Sequence, residues 1–191
     1  MTILSTIAST SGGALRPRSR LRARLVLACL SACGLAALAW ASFVRPLPRL
    51  VYNPSDSVAV GWYHVGPSDA LRVGAIVLTT LPPDAAALAA QRRYLPARVP
   101  LLKRVGAMAP QHVCIFDALV WIDGVPVAAL LPADRLGRPL PFWPHCRRLE
   151  AGELFLLSST NPASFDSRYF GPVSVSNVTG VAQPVWLEKQ P

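Results

Sequence analysis

Two serines one residue apart, Ser55 and Ser57, stand in "NPSDSVAVGWYHV" (Asn53–Val65), and a lysine, Lys103, stands in "VPLLKRVGAM". A serine hydroxyl attacks a carbonyl once a base removes its proton, and a neutral lysine amine can replace histidine as that base. His64, His112 and His145 are scattered, and none sits in an obvious catalytic motif. In an extended segment alternate side chains share a face, so Leu101, Lys103 and Val105 lie together. On an inner face the ammonium would lose its water, which favours the neutral amine. The same pattern also suits a lysine that snorkels from a strand edge. A loop holding both serines can offer the Ser57 backbone N–H and the Ser55 hydroxyl to a developing oxyanion, and Gly61 allows a tight turn after them. The Ser/Asp/Asn/Pro content of this stretch equally suits a plain turn before a strand.

A third stretch, "STNPASFDSRYFGPV" (Ser159–Val173), allows Asp166 and Arg168 to pair across a tight turn, with Ser164 and Ser167 as hydrogen-bond partners. Its bland reading is a polar loop between two strands. No CxxC or HxxxH spacing occurs, so a metal site is not expected, and no motif calls for a cofactor.

The element that must place these residues in a compartment is "LVLACLSACGLAALAWASFV", Leu25–Val44, which carries no charge. At about 1.5 Å per residue it spans roughly 30 Å, the thickness of a hydrocarbon core. Arg16, Arg18, Arg20, Arg22 and Arg24 precede it, and no acidic residue occurs before Asp56. Five arginines against an apolar run point to a cytoplasmic flank rather than to nucleic acid. Trp40 and Phe43 suit the far interface, and Arg45-Pro46 closes the run. The expected organisation is a basic cytoplasmic segment 1–24, a transmembrane anchor 25–44 and an extracytoplasmic domain 45–191. Two rivals are a cleaved signal peptide, which has a shorter core, and a lipoprotein box at "LSAC", Leu30–Cys33, although the apolar run continues past Cys33.

The net charge of +9 is concentrated in that flank: without its five arginines, 14 of the 19 basic residues remain against 10 acidic ones. Cys29 and Cys33 lie in the anchor as small apolar residues. Cys114 and Cys146 lie in the exported part, where an oxidising compartment permits a disulfide worth about 3–4 kcal/mol in the chain-entropy model.

Nineteen prolines argue against long helices beyond the anchor. Gly74–Leu81, "PLLKRVGA", "QHVCIFDA", "ALVWIDG" and Gly152–Ser159 read as strands, and "GPVSVSNVTGVAQPVWL" as one or two more. Asp123-Gly124 reads as a hairpin turn into "VPVAAL". Pro83–Leu95 reads as a helix with Asp84 as N-cap and Arg92 and Arg93 in its last turns. The predicted fold is mostly β with one short helix, preceded by a single N-terminal transmembrane helix.

The order of these parts resembles the type I signal peptidase family, and more closely its conjugative-transfer, TraF-type branch. "NPSDSVAVGWY" is similar to the family's Asn-x-Ser-x-Ser-x-Pro-x-Gly-x-Tyr box, "LLKRVGA" to its lysine box and "SFDSRYFGPV" to its C-terminal box; "GRPLPFWPHC" before "LEAGELFLLS" also looks like that branch. The resemblance covers most of residues 50–187. It implies a signal-peptidase-like β domain in which Ser57 is nucleophile, Lys103 general base and Ser55 an oxyanion donor. Ser164 would orient Lys103, and Asp166 and Arg168 would hold the loop that supports it. The chain departs from the box at Ala59, where the family has proline, and has Val58 where general signal peptidases have methionine. The implied partner is an exported pilin or another signal-peptide-bearing precursor, with no nucleic acid involved. That precursor would be cut and, in the conjugative branch, cyclised through its own N-terminal amine. Val58, Val60 and Trp62 are expected to meet inner-membrane lipid or the substrate's apolar segment. Rival readings are a general signal peptidase and a non-enzymatic assembly component of the transfer apparatus.

Overall fold

The computed structural model describes residues 17–43, 50–96 and 98–188. Arg16, Val44, Arg45 and Pro46 therefore lie outside the described residues. Two compact units divide the chain, residues 1–46 and 47–191.

The first unit contains the helix α1 (Pro17–Phe43). Proline suits a first helical turn, where its missing N–H is not needed. The helix begins well before the apolar run, so the basic residues after Arg16 are part of it rather than a separate tail. Its stretch Arg20–Ser42 is unburied and contains an 18-residue window with a mean hydropathy of 2.0, so it is long and apolar enough to cross a membrane. Cys29 and Cys33 are exposed on it as free thiols.

The second unit is built from eleven strands: β1 (Leu50–Asn53), β2 (Gly61–Gly66), β3 (Ile76–Thr79), β4 (Leu101–Met108), β5 (His112–Phe116), β6 (Leu119–Ile122), β7 (Val125–Ala129), β8 (Cys146–Arg148), β9 (Glu153–Leu157), β10 (Val173–Ser174) and β11 (Val178–Leu187). Seven of them form one sheet in the order β1-β2-β11-β3-β4-β9-β10, and four form another in the order β7-β6-β5-β8. Neighbouring strands run antiparallel throughout. Asp123 and Gly124 join β6 to β7 with φ of 48° and 81°. Two positive φ values in a two-residue loop make a type I′ turn, whose twist matches that of the strands.

The larger sheet is covered on both faces around β3 and β4, while one face of β1 and β2 stays open. Val58, Tyr63, Leu78 and Leu102 pack on one side, Val77, Val105, Leu154 and Val181 on the other. The smaller sheet closes over the far end of β4 and β9 through Val113, Val120, Trp143 and Phe155. Two faces of burial explain why β4 hides both Leu102 and Lys103, which point opposite ways.

Among the described residues this unit has two short α-helices, besides two single 3-10 turns at Ser68–Ala70 and Val175–Asn177. The helix α2 (Pro83–Gln91) ends earlier than its sequence suggests, and its N-cap is Pro82 rather than Asp84, which lies inside the first turn. Arg92 is the residue that closes it, and Arg93 already has φ of 60°. The second, α3 (Ser167–Phe170), is one turn within what reads as a loop.

Candidate active site

The segment between β1 and β2 is held from inside by Asn53. Its Nδ2 donates to the carbonyls of Ser55, Val58 and Ala59 at 2.7, 3.0 and 3.2 Å. Its Oδ1 accepts from the Ser55 hydroxyl at 2.9 Å and from the Ser55 N–H at 3.3 Å. Val58 is fully buried in the core, so it pins the loop and does not face lipid, contrary to its sequence expectation. The Ala59 carbonyl, where the family pattern has proline, also accepts from the Tyr63 hydroxyl at 2.6 Å.

From the other side comes the segment after β9. The Ser57 carbonyl accepts from the Ser158 hydroxyl at 2.8 Å and the Ser159 N–H at 3.1 Å. Thr160 Oγ1 donates to the Asp56 carbonyl, and Asn161 Nδ2 donates to the Asp56 carboxylate at 2.7 Å. With the Ser57 carbonyl fixed, its own N–H has no acceptor among the described residues.

The Ser57 hydroxyl is buried and sits 3.0 Å from that of Ser55. It also lies 3.1 Å from the Leu102 carbonyl, which can accept its proton. These two contacts and the Ser55–Asn53 bond share only two hydroxyl protons, so one of the three is always unmade. β9 pairs with β4 only from Arg104 onward. Leu102 therefore lies past the last β9 pair, and the serine loop docks there, one residue from Lys103.

Lys103 is 3% exposed. Its Nζ donates to the Ser164 hydroxyl, its one side-chain partner among the described residues. Burial is the main cause that lowers its pKa from 10.5 to about 8. The Arg168 charge works the same way, while Asp166 and Asp56 oppose it. Ser57 and Lys103 do not hydrogen-bond to each other among the described residues, but with Ser55 and Ser164 they line one cleft of about 410 Å³.

Ser164 owes its place to a buried ion pair. Arg168 Nε and Nη2 donate to the two Asp166 oxygens at 2.7 and 2.9 Å. Its remaining N–H groups reach the carbonyls of Ala129, Pro162 and Ser164 at 2.6, 2.8 and 3.0 Å. Asp166 caps α3 through the Arg168 N–H and accepts the Ser158 N–H at 3.0 Å. Ser167 does not join the pair; its hydroxyl accepts from the Leu156 N–H at 2.9 Å and ties α3 to β9. Every donor of the guanidinium is used, the condition under which a buried pair is tolerated.

Sequence reading missed Asn53 and Ser158 as positioning residues. Asn53 was visible only as a member of the family box, and Ser158 bridges the ion pair to the serine loop through backbone groups that leave no pattern. It also missed a charged wall on the cleft made by Arg92, Asp134 and Arg138.

Cys114 and Cys146 are directly opposed in β5 and β8 and form a disulfide. His112 Nδ1 lies 3.5 Å from Cys114 Sγ. With both sulfurs bonded to each other, this trio offers no thiolate to a metal.

The sequence model of one protein family, described as signal peptidase, peptidase S26, matches residues 22–187. The plasmid transfer protein TraF of Escherichia coli is 33% identical over 177 residues, which cover 87% of this chain and 95% of that protein. A probable conjugal transfer protein TraF of Sinorhizobium fredii is 33% identical over 145 residues, 72% of this chain and 76% of the other. The conjugal transfer protein TraF of Agrobacterium fabrum is 44% identical over 90 residues, 46% and 49% of the two chains. Among solved structures, a signal peptidase I from Enterococcus faecalis aligns with a TM-score of 0.38 at 20% identity, over 60% of this chain and 97% of that one.

Proposed function

The chain belongs to the signal peptidase family, peptidase S26, and we propose that it is a serine endopeptidase in which Ser57 is the nucleophile and Lys103 the general base. One observation carries this reading: an amine with its pKa lowered to about 8 shares a cleft with a buried serine, and no histidine lines that cleft. Substrate in the cleft displaces the Ser57 proton from Leu102 towards Lys103. Ser57 Oγ then bonds to the scissile carbonyl carbon as Lys103 Nζ takes the hydroxyl proton. The oxyanion is received by the Ser57 N–H and the Ser55 hydroxyl. The peptide C–N bond breaks as the Lys103 ammonium returns its proton to the leaving nitrogen, and an ester remains on Ser57. Water, or an amine of the substrate, attacks that ester. Lys103 takes the attacker's proton and hands it to Ser57 Oγ as the C–O bond breaks. Ser164 orients Lys103, and the Asp166–Arg168 pair keeps Ser164 in place.

Similarity to proteins named for plasmid and conjugal transfer favours an exported pilin precursor as substrate, with cyclisation as the outcome when the precursor's N-terminal amine is the attacker. Residues 45–191 would be the peptidase domain outside the cytoplasm and α1 its single inner-membrane anchor, with the arginines on the cytoplasmic side. Tyr52 and Trp62, 5.2 Å apart, and Trp186, opposite Trp62 in the ladder, form the exposed apolar face that would meet lipid in place of Val58.

The test is the intact mass of a co-expressed pilin precursor with wild type, Ser57→Ala and Lys103→Ala in parallel. Shortening by wild type alone supports the assignment, and a product one water lighter than its linear form adds cyclisation. Equal processing by all three overturns it and leaves a binding component of the transfer apparatus.

A further inference from the structure

The cleft has a second wall of different chemistry from the serine side. Arg92 follows α2, and Asp134 and Arg138 lie in the segment between β7 and β8. Asp134 accepts the N–H groups of Leu136 and Arg138, both at 2.9 Å, on one oxygen. The other oxygen accepts the Tyr94 hydroxyl and, at 2.7 Å, Arg138 Nε. Four donors occupy this carboxylate, which folds its own loop with it. Burial opposes its ionisation, but those hydrogen bonds hold its pKa well below the ordinary value.

Arg92 is left without a close counter-charge. Its side chain is 19% exposed, yet among the described residues its nearest carboxylate is Asp134 at 4.0 Å, and its one side-chain hydrogen bond is a long 3.4 Å contact with the Tyr94 hydroxyl. Arg138 Nη1 likewise has no acceptor among the described residues, while Nη2 reaches the Arg92 carbonyl at 3.3 Å. The Arg138 guanidinium is held in place: it lies over the Tyr94 ring at 5.5 Å, and that ring packs 5.4 Å from Phe165. Phe165 is the neighbour of Ser164, so this platform is continuous with the support of Lys103. The cleft also presents the apolar Leu81, Ala89, Leu95, Leu101 and Leu140, and its one other carboxylate, the exposed Asp56, lies 4.0 Å from Arg135. A partly desolvated guanidinium with spare N–H groups in such surroundings is poorly satisfied, and a carboxylate is the partner whose two oxygens match its fork.

We propose that Arg92 and Arg138 form a carboxylate subsite that binds an acidic side chain, or the free C-terminal carboxylate, of the peptide lying across Ser57. This rests on the peptidase reading and gives it a specificity. The enzyme selects a peptide with a negative charge at a fixed distance from the cut bond. A side chain and a chain end present the same group and differ only in where it is carried.

Full-length protein in detergent micelles tests this with synthetic peptides built on one cleavable core, chosen by mass spectrometry from a peptide library. One set carries Glu in place of Gln at each position with an amidated end. Another carries no acidic residue and ends in a free acid or an amide, one to six residues beyond the cut. The expected result is a tenfold or greater gain in kcat/KM, mainly through KM, at one Glu position or one tail length. Arg92→Gln brings that ratio within twofold of one, and Arg92→Glu shifts the preference to Lys at the same position. A wild-type ratio near one throughout overturns the subsite, as does a full ratio in both Arg92→Gln and Arg138→Gln. Should wild type cut no peptide, the peptidase reading fails by itself. Fluorescence anisotropy of the same peptides on Ser57→Ala then decides the subsite. Binding that needs the carboxylate and is lost with Arg92→Gln supports it, and equal binding of every peptide overturns it.

Discussion

Asn53 grips Ser55 at both ends: its Nδ2 donates to the Ser55 carbonyl at 2.7 Å while its Oδ1 accepts from the Ser55 hydroxyl at 2.9 Å. The donor side of the amide faces three carbonyls and the acceptor side faces one hydroxyl, so its orientation is fixed by the loop.

Asn53→Asp turns that donor into an acceptor among carbonyls. A buried group set against like partners costs about 1–3 kcal/mol or more, and the serine loop should loosen. The expected outcome is a lower thermal midpoint for the full-length protein in micelles and a fall in kcat well beyond the change in KM. Asn53→Asp with wild-type kcat would remove this residue from the positioning of Ser57.

For Lys103 the pKa of about 8 sets a pH profile. About a tenth of the amine is neutral at pH 7, so kcat/KM should rise with unit slope up to about pH 8 and level off above it. Stability follows the opposite logic. The folded pKa is depressed, so the unfolded chain holds this proton more tightly. The resulting destabilisation, about 3 kcal/mol, is complete below pH 8 and fades as pH rises towards 10.5. Lys103→Met should abolish cleavage and raise the thermal midpoint at pH 7, with the gain shrinking by pH 10. A flat pH–rate profile would contradict the amine as base.

Removal of one member of the buried pair should be severe. Asp166→Asn leaves the Arg168 charge buried and unmatched, a loss of about 3–5 kcal/mol. In protein kept folded at low temperature a second effect should appear. Asp166 holds the Lys103 pKa up and Arg168 pushes it down. The pH–rate midpoint should therefore move below that of wild type, and an unmoved midpoint would make the pair purely structural.

Gly61 opens β2 with φ of 144°, and a Cβ there would overlap the Trp186 carbonyl oxygen and come within 2.8 Å of Leu187 Cα. Both are backbone atoms of the paired strand and cannot swing aside. Gly61→Ala should therefore cost about 3 kcal/mol or more, seen as loss of the folded fraction in urea titration. Gly124→Ala, which faces open space but keeps a φ of 81°, should cost only the backbone strain, about 1–2 kcal/mol.

Strand alternation in the sequence put Lys103 beside Val105, and both are buried on one face of β4. The hairpin at Asp123-Gly124 was equally readable, because two positive φ values call for those residue types. Val58 was misread because a valine beside the serine loop has the same composition whether it faces lipid or plugs the core. Asn53 and Ser158 act on backbone carbonyls, which leave no mark on residue periodicity. Arg92 read as a helix-terminal charge; its cleft role depends on Asp134 being saturated by a loop with no period at all.

The bond between Cys114 and Cys146, 32 positions apart in sequence, makes the segment between them a closed covalent loop. Asp134, Arg138 and Leu140, which build the charged wall, all lie within that loop. A single backbone cut there would leave both pieces on one molecule, with the flanking strands still held side by side. A hydrolytic nick there adds one water to the mass, releases no fragment, and leaves β5 and β8 linked.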